Sequence, residues 1–159
     1  MTGRQYIIAF LVLVITCSLI ALAAHAAPKK TYTPRIYTGT VVRVIDGDSF
    51  IFDFPECPAF QRPCEVRVVG IDTPEHSLSA AQAPCEVPLG IAAGEYAKTL
   101  LKPGDAVQVT WDGHAREKWR RLLGTVKRTD GGDYGQAMIA AGYARPYDGG
   151  HKDPWCGGA

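Results

Sequence analysis

Residues 37–54 read YTGTVVRVIDGDSFIFDF and describe two strands joined by a tight turn. The first half is rich in Val and Ile, which favour strands, and Asp46-Gly47-Asp48 interrupts it with residues typical of turns. Beyond the turn the pattern alternates, so that Phe50, Phe52 and Phe54 fall on one face. The stretch therefore predicts a hairpin with a buried aromatic face.

Short strands and two helices are predicted for the rest of the chain. The apolar spacing within residues 90–101 indicates a helix with a core-facing stripe, made of Ala93, Tyr96, Ala97, Leu100 and Leu101. The other predicted elements are strands at 65–71, 106–111 and 122–127, and a short helix between an Asp133 N-cap and Gly142. Because five short strands cannot leave flat edges exposed, we expect an α+β, mainly β, fold: a five-stranded OB-type barrel with two or three packed helices.

The N-terminus has the layout of a secretory signal peptide. Arg4 is the first charge, residues 6–24 are almost all apolar, and Ala24-His25-Ala26 offers a small-x-small cleavage site. We expect residues 1–26 to be removed and the protein to be exported, either to a periplasm or out of the cell. An uncleaved membrane anchor formed by residues 6–24 is the alternative. Residues 27–36 are predicted to form an extended lead-in to one domain at 37–159.

Charge balance argues against a protein that is held on nucleic acid by bulk charge. The 159-residue chain has 17 basic and 16 acidic residues, and loss of Arg4 with the leader would make the numbers equal. Non-specific binding to nucleic acid depends on an excess of basic side chains. Any contact with nucleic acid must therefore come from a local basic cluster.

Four cysteines remain after removal of the leader, and an even number in an exported chain predicts two disulfides. Three pairings are possible. We favour Cys57 with Cys64, which flank a short Pro-rich turn, and this leaves Cys85 with Cys156. A zinc site is the rival interpretation, but the chain has no Cys-x-x-Cys pair.

Three clusters of polar residues carry the chemistry: Asp46-Gly47-Asp48, then Arg67 with Asp72-Thr73-Pro74-Glu75, then the run REKWRR at 116–121. Carboxylate and carbonyl oxygens suit Ca²⁺ or Mg²⁺, guanidinium groups suit a phosphate, and a spare glutamate can accept a proton from water. Taken singly, the clusters could be a turn, a helix start and a solvated face. Together they predict phosphodiester hydrolysis.

Their order and spacing resemble a known family. VIDGDSF, RVVGIDTPE and EKWRRLLGTV are similar to motifs of the thermonuclease family, the staphylococcal nuclease-like proteins. The resemblance covers about residues 37–147. It implies a five-stranded OB barrel, a calcium cofactor, and cleavage of DNA and RNA to 3′-phosphate ends.

The resemblance also implies a role for each motif residue. Calcium would be held by Asp48, Asp72 and the backbone carbonyl of Thr73, with Asp46 an indirect ligand through water at most. Arg67, Glu75 and Arg121 would be catalytic, with Glu75 orienting or deprotonating the attacking water. One departure is Arg120, which stands where a glycine is usual in the family. The weaker substrate-binding candidates are Lys118, Trp119, Tyr143 and Tyr147, through phosphate charge or base stacking.

The sequence thus predicts an exported, calcium-dependent nuclease, a monomer with nucleic acid as its partner and no stable protein partner. A non-catalytic OB barrel that binds single-stranded nucleic acid or sugar is the alternative from another class. A phosphodiesterase acting on small diesters is a second alternative. The barrel that only binds does not need the two aspartates, the glutamate and the two arginines. The phosphodiesterase would use the same metal and arginines and differ only in its outer contacts.

Overall fold

Five strands close into a barrel in the computed structural model, which describes residues 33–111 and 121–156. These residues belong to one compact unit, Tyr32–Ala159. The elements are β1 Arg35–Val44, β2 Ser49–Asp53, β3 Cys64–Val68, β4 Ile71–Asp72, α1 Glu86–Leu100, β5 Ala106–Trp111, β6 Leu122–Lys127, α2 Tyr134–Ala140 and β7 Arg145–Pro146.

The barrel has the strand order β1-β2-β3-β6-β5 and closes through pairing of β5 with β1. All neighbours are antiparallel except β3 and β6, which run parallel with Arg67 opposite Leu123. This confirms the predicted five-stranded OB barrel with two helices. The parallel pair matters for function, because it places Arg67 beside the strand that Arg121 precedes.

The core lies inside the barrel and under the two helices. Phe50, Phe52 and Phe54 are all buried, as the alternation of β2 predicts, and the rings of Phe52 and Phe54 stack at 4.9 Å. The predicted helical stripe also faces the core: its residues Ala93, Ala97 and Leu101 are buried, and Tyr96 and Leu100 pack against the core.

The third strand is shorter than the sequence predicts. Residues 65–71 were expected to form one strand, but β3 ends at Val68 and Gly70 has a positive φ of 83°. That left-handed conformation is easy only for glycine and turns the chain out of the barrel. Ile71 and Asp72 form the separate strand β4, which pairs antiparallel with β7.

Helix α1 begins at Glu86, four residues before the predicted start at Gly90. Pro88 lies in the first helical turn, where its missing N–H has no intrahelical partner to lose. The short helix α2 begins as predicted, since Asp133 caps it by accepting a hydrogen bond from the Gln136 N–H at 2.8 Å. Gly142 follows its end with a positive φ of 79°.

Both favoured disulfides are present. Cys57 is bonded to Cys64 across the β2–β3 loop, and Cys85 at the start of α1 is bonded to Cys156 near the C-terminus. The second bond joins residues 71 positions apart and ties the end of the chain to α1. The zinc alternative for these cysteines is therefore wrong.

Several sequence predictions fall on residues outside the described part of the chain. These are the signal peptide or anchor at 1–26, most of the lead-in at 27–36, and Lys118, Trp119 and Arg120. Of the lead-in, residues 33 and 34 are exposed and irregular, and Arg35 and Ile36 already belong to β1. Within 33–111 and 121–156, no helix has the length and apolar character needed to cross a membrane.

Candidate active site

Asp48 is the centre of a buried polar network that joins two of the three sequence clusters. Its Oδ1 accepts hydrogen bonds from the Arg67 guanidinium and from the Ser49 hydroxyl, the latter at 3.0 Å. Its Oδ2 accepts from the Thr73 hydroxyl at 2.8 Å. The Asp-Gly-Asp turn, β3 and the Asp-Thr-Pro-Glu segment therefore meet at one carboxylate.

Burial makes this carboxylate unusual. Loss of hydration raises the pKa of Asp48 to about 7, because a buried negative charge is poorly solvated. The positive charge of Arg67 lowers that pKa, and the negative charge of Asp46 raises it. Arg67 is therefore the main favourable partner of the ionised form of Asp48.

The Asp-Gly-Asp turn is fixed from the side of α2. Tyr134 is buried and its hydroxyl donates a hydrogen bond to the Gly47 carbonyl at 2.7 Å. A side chain at position 47 would also collide with Thr73, whose atoms lie 2.9 Å from where a Cβ would stand. Glycine is needed here because the turn packs directly on the second acidic segment.

Asp72 is the second buried carboxylate, and it is surrounded by groups from the C-terminal end of the chain. Its Oδ2 accepts a hydrogen bond from the Trp155 indole at 2.9 Å and lies 3.5 Å from the Arg145 guanidinium. Its Oδ1 lies 2.7 Å from the ammonium group of Lys152, which is also 3.3 Å from Glu75 Oε1. Burial alone would lower the pKa of Lys152, but the Asp72 and Glu75 carboxylates raise it above its ordinary value.

Glu75 is positioned through its backbone by Glu86, a buried carboxylate of α1. Glu86 accepts hydrogen bonds from the Glu75 N–H at 3.0 Å and from the Gln82 N–H at 2.8 Å. Gly90, one turn further along α1, lies so close to this segment that a Cβ there would stand 2.4 Å from the Glu75 carbonyl. Helix α1 can therefore lie this close to Glu75 only because glycine has no side chain at position 90.

Two glycine substitutions in α1 are expected to change stability in opposite directions. Gly90→Ala should lower the free energy of unfolding by about 1–3 kcal/mol, because the added methyl group overpacks the helix against Glu75. Gly94→Ala should raise it by about 0.5–1 kcal/mol, because its nearest neighbour is 3.8 Å away and alanine favours a helix. Urea unfolding of both variants measures the difference, and equal effects would contradict the close packing.

A cleft of about 590 Å³ opens over this network. Arg67, Glu75 and Arg121 all contribute to its wall, with Arg121 held 3.8 Å from the Glu65 carboxylate across the parallel strand pair. The other residues of the cleft are Asp46, Val68, Val69, Gly70, Ile71, Leu123, Tyr147, Asp148, Gly149 and Lys152. Two guanidinium groups, one ammonium group and three carboxylates therefore line a shared space. The buried Asp48 and Asp72 contact two of these lining residues, Arg67 and Lys152.

The site offers carboxylate and carbonyl oxygens, the ligands that a hard divalent cation prefers. Among the described residues, no three His, Cys, Asp or Glu side chains group closely enough to form a metal site by themselves. However, Asp72 Oδ1 is buried and receives no directed hydrogen bond from the described part of the chain. The cation nearest to this oxygen is the Lys152 ammonium at 2.7 Å, which a bound metal ion would replace. Two carboxylates, a backbone carbonyl and water fit Ca²⁺, which takes oxygen ligands and tolerates several waters.

Comparison with known proteins places this site in a family. The family model described as "Staphylococcal nuclease homologue" matches residues 65–154, more than half of the chain. The chain belongs to this family. The matched span includes Arg67, Glu75 and Arg121, and every residue of the cleft wall except Asp46 lies within the staphylococcal nuclease homologue region.

Two proteins with sequences similar to this chain have names that refer to nucleic-acid cleavage. The chain is 32% identical over 113 residues to Endonuclease YhcR of Bacillus subtilis, an alignment that covers 70% of this chain and 9% of the Bacillus protein. It is 30% identical over 116 residues to a protein of Escherichia coli O157:H7 named "Uncharacterized endonuclease", covering 73% and 65% respectively. The chain thus spans less than two thirds of the length of both relatives.

The structure brings together most, but not all, of the predicted site residues. Asp48, Arg67 and Thr73 form one hydrogen-bonded group, and Asp72 and Glu75 share the Lys152 ammonium in a second. Arg67, Glu75 and Arg121 all line the cleft. Tyr147 lines the cleft as expected of a stacking residue. Tyr143 does not, because its ring stacks on Tyr96 at 4.6 Å and packs against the core. The expectation that Tyr143 forms part of a substrate wall is therefore not supported by its position.

Five residues near the site were missed by reading the sequence. Each contacts a predicted site residue or the Asp-Gly-Asp turn: Tyr134, Glu86, Arg145, Lys152 and Trp155. One signal was available, since the favoured Cys85–Cys156 bond implies that the residues beside Cys156 lie near the start of α1. Nothing in the sequence pattern indicated that Asp72 would lie there as well.

Proposed function

We propose that this protein is a calcium-dependent nuclease that hydrolyses phosphodiester bonds of DNA and RNA and leaves 3′-phosphate ends. The single observation that carries the proposal is the shared cleft. Two arginines and a glutamate line it, and the buried carboxylates of Asp48 and Asp72 contact Arg67 and Lys152 of its wall. Membership of the staphylococcal nuclease homologue family and the endonuclease names of the relatives support it.

Calcium would be held by Asp48, Asp72 and the Thr73 backbone carbonyl, with the ion taking the place of the Lys152 ammonium at Asp72 Oδ1. When bound, the ion supplies positive charge that stabilises a phosphate and makes water easier to deprotonate. Asp46 contributes indirectly, because its carboxylate accepts a hydrogen bond from the Asp48 N–H at 3.0 Å and thereby shapes the turn.

The side chains of the cleft would carry out the remaining parts of the reaction. Glu75 orients the attacking water and can accept its proton, since its carboxylate reaches the cleft while Glu86 fixes its backbone. Arg67 and Arg121 donate hydrogen bonds to the phosphate oxygens whose charge grows in the transition state. Arg121 can also stabilise the leaving 5′-oxygen.

Recognition of the polymer would come from the cleft wall beyond the reacting phosphate. Tyr147 presents a ring at the opening, and its hydroxyl is held by the Gly150 carbonyl at 2.8 Å. Base stacking on such a ring tolerates any sequence, which suits cleavage of both DNA and RNA. Lys118 and Trp119 are proposed to add phosphate and base contacts from the loop that precedes Arg121.

Export is proposed on separate grounds. The apolar leader with its cleavage site predicts secretion, and two disulfides are stable in the oxidising compartments outside the cytoplasm. Calcium is abundant in those compartments, which suits a site built from only two aspartates. We propose that the mature enzyme acts there as a monomer.

Hydrolysis of single-stranded and duplex DNA and of RNA by the purified protein tests this proposal. We expect cleavage of all three with calcium, none with a chelator, and products that a 3′-phosphatase can modify. Binding of DNA or RNA with no cleavage at any calcium concentration would favour the non-catalytic barrel instead. Cleavage of a small nucleotide diester without cleavage of polymers would favour a phosphodiesterase of another class.

A further inference from the structure

The C-terminal tail, residues His151–Cys156, folds back onto the acidic residues of the cleft. Trp155 donates its indole N–H to Asp72 Oδ2 at 2.9 Å, and Lys152 reaches Asp72 Oδ1 and Glu75. These contacts join residues about eighty positions apart in the chain. The tail therefore supplies groups to the site that none of the three sequence motifs contains.

The position of the tail is determined by contacts that are independent of Asp72. Cys156 is bonded to Cys85 at the start of α1, and the Gln82 side chain donates to the Lys152 carbonyl at 3.3 Å. From the other side, Arg145 donates to the Asp153 carbonyl at 2.8 Å and places its guanidinium 3.8 Å from the centre of the Trp155 ring. These contacts hold Trp155 between α1 and β7 independently of its hydrogen bond to Asp72.

The orientation of Asp72 depends on this indole. The Arg145 contact with Oδ2 is long at 3.5 Å, and the Lys152 contact with Oδ1 is close but not directed as a hydrogen bond. The Trp155 N–H is therefore the best-placed donor to the Asp72 carboxylate within 33–111 and 121–156. Because it engages Oδ2, it fixes the carboxylate while leaving Oδ1 to a cation, in the position that the Lys152 ammonium holds at 2.7 Å.

We infer that Trp155 is a positioning residue for the calcium ligand Asp72, and that the Cys85–Cys156 disulfide holds Trp155 in place for this purpose. The inference rests on the proposed function, since it concerns the affinity of the same calcium site. Partners that orient a metal ligand typically account for a 10–100-fold difference in metal affinity. The disulfide therefore contributes to calcium binding as well as to stability.

Trp155→Phe tests the inference, because phenylalanine keeps a ring under Arg145 and removes the N–H. We expect calcium to bind at least about 10-fold more weakly in a calorimetric titration. The melting temperature measured without calcium should stay close to the wild-type value. At saturating calcium the turnover number should recover towards the wild type, which a general loss of structure would not allow. His151→Ala, an exposed change in the same tail, is the control and should leave calcium binding unchanged.

The disulfide supplies a second, independent test. The double variant Cys85→Ser/Cys156→Ser should weaken calcium binding by a similar factor, whereas Cys57→Ser/Cys64→Ser, which opens the other loop, should not. Wild-type calcium affinity in both Trp155→Phe and Cys85→Ser/Cys156→Ser would overturn the inference while leaving the proposed function intact. Absence of calcium binding by the wild-type protein would instead overturn the proposed function, and this inference with it.

Discussion

Arg67→Ala is expected to reduce the turnover number by at least about 10²–10³-fold, the usual cost of losing one electrostatic contact to a transition state. Arg67 faces the cleft and is also the partner of buried Asp48. Its loss would remove a phosphate contact and leave the carboxylate without its counter-charge. Hydrolysis rates at saturating calcium and substrate measure the first effect.

The same substitution should also destabilise the protein. Removing one member of a buried ion pair costs on the order of 3 kcal/mol, because Asp48 must then either stay buried as an unpaired charge or take up a proton. Denaturant unfolding without calcium measures this effect. Arg67→Lys keeps the charge but not the planar fork, so it should recover more stability than turnover. A near-wild-type turnover number in Arg67→Ala would contradict the assignment.

Arg121→Ala should lower turnover by a similar factor of about 10²–10³ with much less effect on stability. Its side chain is 22% exposed, and the Glu65 carboxylate 3.8 Å away is itself partly exposed. Ion pairs of this kind contribute only about 0–1 kcal/mol to stability. Comparison of the two variants separates the loss of a cleft arginine from the loss of an arginine that also pairs with the buried Asp48 carboxylate.

Arg43→Ala is the matched control for Arg121→Ala, since Arg43 is an exposed arginine of β1. It removes the same charge from the protein and should leave the turnover number unchanged. If Arg43→Ala and Arg121→Ala slowed hydrolysis equally, the effect would come from overall charge and not from a contact with the reacting phosphate.

The barrel could be predicted because its strands have simple patterns. The alternation of β2 assigns Phe50, Phe52 and Phe54 to the core without further information. The end of β3 could not be predicted in this way, because Val68, Val69 and Ile71 form a continuous apolar run. Only the left-handed conformation of Gly70 shows that the chain leaves the barrel there.

The motif residues of the site were predictable from their order, and the supporting residues were not. Asp48, Asp72 and Arg67 belong to short segments whose spacing resembles a family. Trp155 reaches Asp72 only because β4 pairs with β7 and a disulfide joins Cys156 to α1. Such contacts depend on tertiary structure, and no local pattern in the tail records them.

The proposed function requires that two buried aspartates and two arginines act on the same phosphate. A crystal structure of the protein with calcium and a short phosphorothioate oligonucleotide, which resists cleavage, tests it most directly. We expect one calcium ion bound by Asp48 and Asp72, with one phosphate group contacted by both Arg67 and Arg121. Calcium bound elsewhere, or a phosphate that meets neither arginine, would contradict it.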